Sequence, residues 1–195
     1  MAPIIAYIFD LDGVLVDSNG LHVASWREVA QRHGFDCPDP EHIGKCGLRT
    51  NAVIRDLLRW PVDEQEASLI GSEKEDIYRD WIRRDGIRPI PGVLEFIKEA
   101  HRQGVRCSIG SSAPRENVDL CLQVLGLTHM FEVSVSGADV EHGKPAPDIF
   151  QKAAAGLRVI PEQCLVFEDA PAGIVAAHAA GMRALALLTS HSRKE

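Results

Sequence analysis

The chain has 195 residues, 45% of them hydrophobic, and a formal charge of -7 from 21 Lys+Arg against 28 Asp+Glu. That length suits one domain with an insertion, or two small ones, with enough apolar material for a real core. The acidic balance, without any block of five or six like charges, gives no electrostatic reason to seek nucleic acid or an anionic membrane surface. Nowhere are there 18 consecutive apolar residues, and the opening MAPIIAYIFDLD has no positive n-region and reaches acids too early for an h-region. A soluble, cytoplasmic monomer is therefore expected. Cys37, Cys46, Cys107, Cys121 and Cys164 are odd in number and form no CxxC pair, which speaks against zinc and disulfides. The last three lie in apolar segments and read as core thiols.

In chain order, the apolar run Ile4 to Phe9 reads as a strand buried on both faces of a parallel sheet, ended by Asp10, Asp12 and Gly13. After Asp17 and Ser18 the pattern turns helical. Residues 21–33 put Val23, Trp26, Val29 and Ala30 on one face, and Gly34 stops them. A loop leads to Thr50, expected to be the N-cap of a helix carrying Val53, Ile54, Leu57 and Leu58. A charged helix follows over 63–84, with Leu69, Ile70, Ile77, Tyr78, Trp81 and Ile82 as its buried stripe, and Gly71 marks a place where it could break. No strand is expected between 18 and 88. From Pro89 the reading is alternating: a helix opened by Pro91-Gly92, the strand VRCSIG, a helix from Pro114 to Leu125, the strand FEVSVS, a helix from Asp148, the strand CLVF, a helix from Gly173 to Ala180, and the strand RALALL.

Such alternation implies parallel βαβ units with right-handed crossovers. The expected fold is thus an α/β Rossmann-like core from residues 1–17 and 89–195, split by a helical insertion over 18–88. Asp17 is read as a residue that caps or orients the linker. In open α/β sheets ligands bind at the carboxyl ends of the strands. Asp10 and Asp12 end the first strand, Ser111 and Ser112 the second, Glu168 and Asp169 the fourth, and Lys144 opens the loop after the third. At an effective dielectric near 20, each pair of like unit charges at 4 Å costs roughly 4 kcal/mol, so four crowded carboxylates demand a positive partner. Oxygen ligands, with a phosphate to supply another, favour octahedral Mg²⁺ over zinc.

The segments FDLDGVLVDS, IGSSAPREN, GKPAPDIF and VFEDAPAGI resemble the four ordered motifs of the haloacid dehalogenase superfamily. More narrowly, the chain is similar to the branch of helical-cap phosphatases and β-phosphoglucomutase, with the cap inserted after the first motif. The resemblance implies that Asp10 is a phosphoryl-accepting nucleophile and Asp12 the acid and then the base. It implies Mg²⁺ held by Asp10, the backbone oxygen of Asp12, Glu168 and Asp169, with Ser111, Ser112 and Lys144 around the phosphate. The dehalogenases of the family lack an acid at the second position, because halide leaves without a proton, so Asp12 argues for phosphate ester chemistry.

In the insertion, His22, Arg49 and Lys74 look similar to substrate-side residues of the β-phosphoglucomutase branch. An Arg49 facing the crevice would favour a substrate with two anionic groups, since a guanidinium holds a phosphate or carboxylate in bidentate fashion. The implied activity is an Mg²⁺-dependent phosphohydrolase of small phosphorylated metabolites, sugar phosphates above all. A β-phosphoglucomutase, which shares every core residue, is the alternative, and a phosphoacceptor receiver module is a minor one. The chain also stops at TSHSRKE, where relatives commonly continue with another strand and helix.

Overall fold

Five strands, β1 (Ala6–Phe9), β2 (Arg106–Gly110), β3 (Val133–Val135), β4 (Cys164–Glu168) and β5 (Arg183–Ala186), form one sheet in the computed structural model, which describes residues 2–192. Their order is 3-2-1-4-5 and every pairing is parallel. β1 lies in the middle, with Ala6 opposite Arg106 on one side and Cys164 on the other. This is the Rossmann-like core that the alternating pattern implies.

Alternation within β1 divides the core in two. Phe9 points into a cluster with Val93, Ile97, Val118 and Cys121, so helices α5 (Val93–Arg102) and α6 (Arg115–Val124) cover that face. Ala6 and Ile8 point the other way, against Ile149, Phe150, Ala153 and Ala176 of α7 (Asp148–Leu157) and α8 (Pro171–Ala179). Burying each of these larger side chains is worth about 1.5–3 kcal/mol, and a one-residue register slip would turn the whole set to the wrong face. Cys107, Cys121 and Cys164 are buried in these two clusters, as apolar surroundings imply.

Between β1 and β2 the chain is helical: α1 (Asn19–His33), α2 (Pro40–Gly44), α3 (Thr50–Ala52) running into a π-helical turn over Val53–Leu58, and α4 (Glu64–Asp85). Trp26, Val29, Ile54, Trp60, Ile70 and Ile77 form their shared core. The two segments that lead into and out of these helices run side by side. Asp17 N–H donates to the Arg88 carbonyl at 2.9 Å, and Ile90 N–H donates to that of Leu15 at 2.9 Å. Asp17 also pairs with Arg88 at 3.3 Å.

Local expectations need correction at several points. Thr50 is not an N-cap: it is the first residue of α3, and its hydroxyl donates to Glu75 on α4. The break considered at Gly71 is absent, because the stripe through Ile70, Ile77 and Tyr78 stays buried across it and α4 is continuous; Leu69, expected in that stripe, lies one residue off it and is exposed, and Trp81 is half-buried. Strand β3 keeps only three residues of FEVSVS. Helix α8 begins at Pro171 rather than Gly173, since Pro is favoured in the first turn.

Candidate active site

The carboxyl ends of β1 and β4 are neighbours in the sheet, so Asp10 comes to lie beside Glu168 and Asp169. Oxygen atoms from these three buried carboxylates fall within 4.8 Å of one another. Lys144, delivered by the loop between β3 and α7, enters from the side. Its ammonium donates to Asp10 Oδ1 at 2.7 Å and to Glu168 Oε1 at 2.6 Å. The other Glu168 oxygen accepts from the Asp169 and Ala170 amides at 2.7 and 2.8 Å. Two glycines make this crowding feasible. A Cβ on Gly173 would sit 1.6 Å from Glu168 Oε1, and one on Gly13, at φ +70°, would sit 1.8 Å from Asp169 Oδ2.

The charges of this group set its titration. Burial, against which the Lys144 ammonium works, pushes the Asp10 carboxyl up to about 7. Burial and the neighbouring Asp10 push Asp169 up to about 8. Lys144 loses solvation too, yet Asp10 and Glu168 outweigh that loss and hold it above the ordinary range. Once all three carboxylates are ionised, one ammonium leaves a buried charge of minus two, which is the deficit a divalent cation fills, and an all-oxygen donor set suits a hard ion. The residues therefore fit the expected metal.

Asp12 faces away from this group, toward the helices. Its Oδ1 accepts from Ser18 Oγ at 2.6 Å and from His22 Nε2 at 3.0 Å, with the Tyr78 hydroxyl at 3.4 Å. The His22 tautomer follows from its second partner, Lys74 Nζ, 2.8 Å from Nδ1. An ammonium only donates, so Nδ1 accepts and Nε2 carries the proton given to Asp12. Tyr78 stacks on the imidazole with ring centroids 4.3 Å apart. Loss of solvent raises the Asp12 carboxyl, but His22 and then Ser18 and Lys74 overcome this and hold it down to about 2.

Asp10, Asp12, Asp169, Ser111, Ser112, His22 and Lys74 all line one cleft between the sheet edge and the helices. Ser111 is buried, its Oγ accepting from the Ala113 amide at 3.2 Å. Among the described residues, Ser112 caps no helix and its buried Oγ has no hydrogen-bond partner. Arg49 lines an adjoining cleft that Ser112 and Lys144 also line, and its guanidinium donates to the Val140 and Glu141 carbonyls at 2.8 and 3.1 Å. The loop that carries Lys144 supplies both carbonyls, while the buried Arg49 Nε has no hydrogen-bond partner among the described residues. Sequence reading did not single out Ser18, Glu75, Asn117 or Ser190. Ser18 lay in the first motif, but the rest meet partners 21 to 42 residues away, which no local pattern signals.

The pattern of the haloacid dehalogenase-like hydrolases matches residues 7–187. The chain belongs to this family. Similar to this hydrolase is the fructose-1-phosphate phosphatase YqaB of Escherichia coli (strain K12), 33% identical over 178 residues that cover 91% of this chain and 93% of the relative. Among solved structures, CbbY from Rhodobacter sphaeroides in complex with xylulose-(1,5)bisphosphate superposes with a TM-score of 0.86 at 26% identity, covering 98% of this hydrolase and 89% of that chain. β-Phosphoglucomutase from Clostridium difficile gives a TM-score of 0.83 at 28% identity, over 94% and 84% of the respective chains. These neighbours place the hydrolase in the β-phosphoglucomutase-like branch. None of its described helices is long and apolar enough to cross a membrane.

Proposed function

We propose that this hydrolase is an Mg²⁺-dependent phosphatase of small phosphorylated metabolites, foremost sugar phosphates, acting through an aspartyl phosphate on Asp10. The observation that carries the reading is the Lys144 ammonium bonded at once to Asp10 and Glu168, with Asp169 in reach, at the edge of a parallel sheet where ligands bind. Asp10, the backbone oxygen of Asp12, Glu168 and Asp169 would hold the ion. When bound, Mg²⁺ supplies the positive charge that lets a phosphoryl dianion approach a carboxylate.

The protein's own groups then divide the work. Lys144 anchors one oxygen of Asp10, and the nucleophile's carboxylate forms a bond to phosphorus as the ester oxygen leaves. Asp12 gives that oxygen its proton. In the second half Asp12 takes a proton from water, whose oxygen attacks phosphorus and releases Asp10 and inorganic phosphate. Splitting one displacement into two is the benefit of the covalent route. Held near 2 in the substrate-free cleft, Asp12 is ionised and ready as the base. A phosphoryl dianion beside it raises its affinity for the proton needed in the first half. Ser111, Ser112 and neighbouring backbone amides surround the transferring oxygens, over which transition-state charge spreads.

The helical segment 18–88 is read as a cap that sets substrate choice. With the helices in place, the cleft leaves about 60 Å³ for water, a few water molecules' worth. That space is small for a sugar phosphate, so the reading has the cap move aside to admit one. The relative that is named for fructose 1-phosphate supports a sugar monophosphate.

The test is phosphate release from a panel of phosphorylated metabolites with Mg²⁺. Turnover of sugar monophosphates, reduced about 10³-fold or more in Asp10→Asn, is the expected result. The likeness to β-phosphoglucomutase supports a second reading, phosphoryl transfer between sugar hydroxyls. Isomer formation from β-glucose 1-phosphate plus a bisphosphate primer, without net phosphate release, would overturn the phosphatase in its favour.

A further inference from the structure

Behind His22 lies a buried polar chain that the chemistry described so far leaves unused. Lys74 Nζ, besides meeting His22, bonds Glu75 Oε1 at 3.0 Å. Glu75 also accepts from Thr50 and, through Oε2, from Asn117 Nδ2 at 2.7 Å. Asn117 Oδ1 accepts in turn from Arg79 Nη1 at 2.7 Å. The amide is locked between a group that only accepts and a group that only donates, which fixes its orientation. Glu75, Lys74 and Arg79 stand on α4 of the helical segment, whereas Asn117 stands on α6 beside the sheet. Asn117 is 1% exposed, Lys74 2% and Glu75 5%.

Such a chain is a poor device for stability alone, because desolvating an ion pair commonly costs as much as the attraction returns, and apolar residues of similar volume do as well or better. What it does is geometric. Asn117 grips Glu75, Glu75 holds the Lys74 ammonium, the ammonium sets the His22 tautomer and ring plane, and His22 holds Asp12. We infer that Asn117 and Glu75 are positioning residues for the general acid: through Lys74 they fix the His22 ring that bonds Asp12.

This rests on the phosphatase reading, and it has a signature that looser packing does not share. An alkyl phosphate such as a sugar phosphate needs a proton on its leaving oxygen, while p-nitrophenyl phosphate has a leaving group stable as the anion. The ratio kcat/KM covers only the steps up to departure of that group, so the later hydrolysis, common to both substrates, does not mask the difference. Asn117→Ala and Glu75→Gln are each compared with the unaltered protein on both substrates, with Mg²⁺ saturating and folding checked by thermal unfolding. The expected loss in kcat/KM is at least about tenfold greater for the alkyl than for the aryl ester, a fraction of the usual worth of general acid catalysis, and similar in the double variant because the two act in series. Equal losses on both substrates in the folded variants, or no loss, overturn the inference. If Asn117→Ala does not fold, Glu75→Gln decides by the same comparison. Absence of phosphate release from both esters in the unaltered protein would instead sink the phosphatase reading itself.

Discussion

Replacing Lys144 with methionine keeps the length of the side chain and removes its charge. The ammonium lies 2.7 Å from Asp10 and 2.6 Å from Glu168, with its side chain 1% exposed. Taking one partner from a buried ion pair leaves uncompensated charge and costs about 3–5 kcal/mol. For a chain of this size each kcal/mol moves the midpoint by about 2–4 °C, so the metal-free variant should melt roughly 6–20 °C lower at pH 8. The pH dependence has a definite sign. The Asp10 carboxyl already stands at about 7 against an ordinary 3.8, and without Lys144 it stands higher. Across that interval the folded state binds more protons than the unfolded one, so stability falls as pH rises. The deficit should therefore shrink at pH 6, where a proton replaces the missing cation, and Mg²⁺ should restore part of it. Thermal unfolding in EDTA and in Mg²⁺, at pH 6 and pH 8, measures all four values. A metal-free midpoint within about 2 °C of the unaltered protein at pH 8 would refute the charge accounting.

Two further outcomes concern the same centre. Ser190 Oγ donates to Asp169 Oδ2, and loss of such a support for a carboxylate that holds a metal, the role proposed for Asp169, typically costs 10–100-fold in affinity. Ser190→Ala should raise the Mg²⁺ dissociation constant about tenfold in a thermal-shift titration, with Ser190→Thr near the unaltered value. Asp10 at about 7 and Asp169 at about 8 must give up their protons before an ion can bind. Apparent Mg²⁺ affinity should thus climb from pH 6 to pH 8 and level off above, with proton release on binding detected by calorimetry in buffers of different ionisation enthalpy.

The sequence made the sheet and one end of it readable, because two signals agreed there. The apolar run into Asp10 announces a buried strand, and the acids of Glu168-Asp169 end another. Parallel topology alone then brings the two ends together, and Lys144 and Ser111 follow from the same rule. The helical side was less legible. Periodicity placed Lys74 and Tyr78 on α4 but said nothing of partners. The expectation that Arg49 would serve the crevice depended on which of two adjoining clefts its side chain enters, and that is settled by carbonyls at 140 and 141, roughly ninety residues along the chain. Thr50 looked like a helix cap, the commonest task of its type, yet a carboxylate twenty-five positions away claims its hydroxyl. Pairings of this kind leave no trace in the spacing of either partner.

The central position of β1 has a consequence for how the molecule comes into being. Ala6 pairs with Arg106 and Cys164, partners 100 and 158 positions later. At ordinary translation speeds the strand waits roughly ten to thirty seconds for both flanks to be made. During that wait an apolar ribbon with two bare edges is exposed to whatever lies nearby, and edges of this kind recruit stray strands. Long-range parallel pairing is also slow in itself. Yield on biosynthesis should accordingly depend on temperature and on holdase chaperones more than the finished molecule's own durability would suggest.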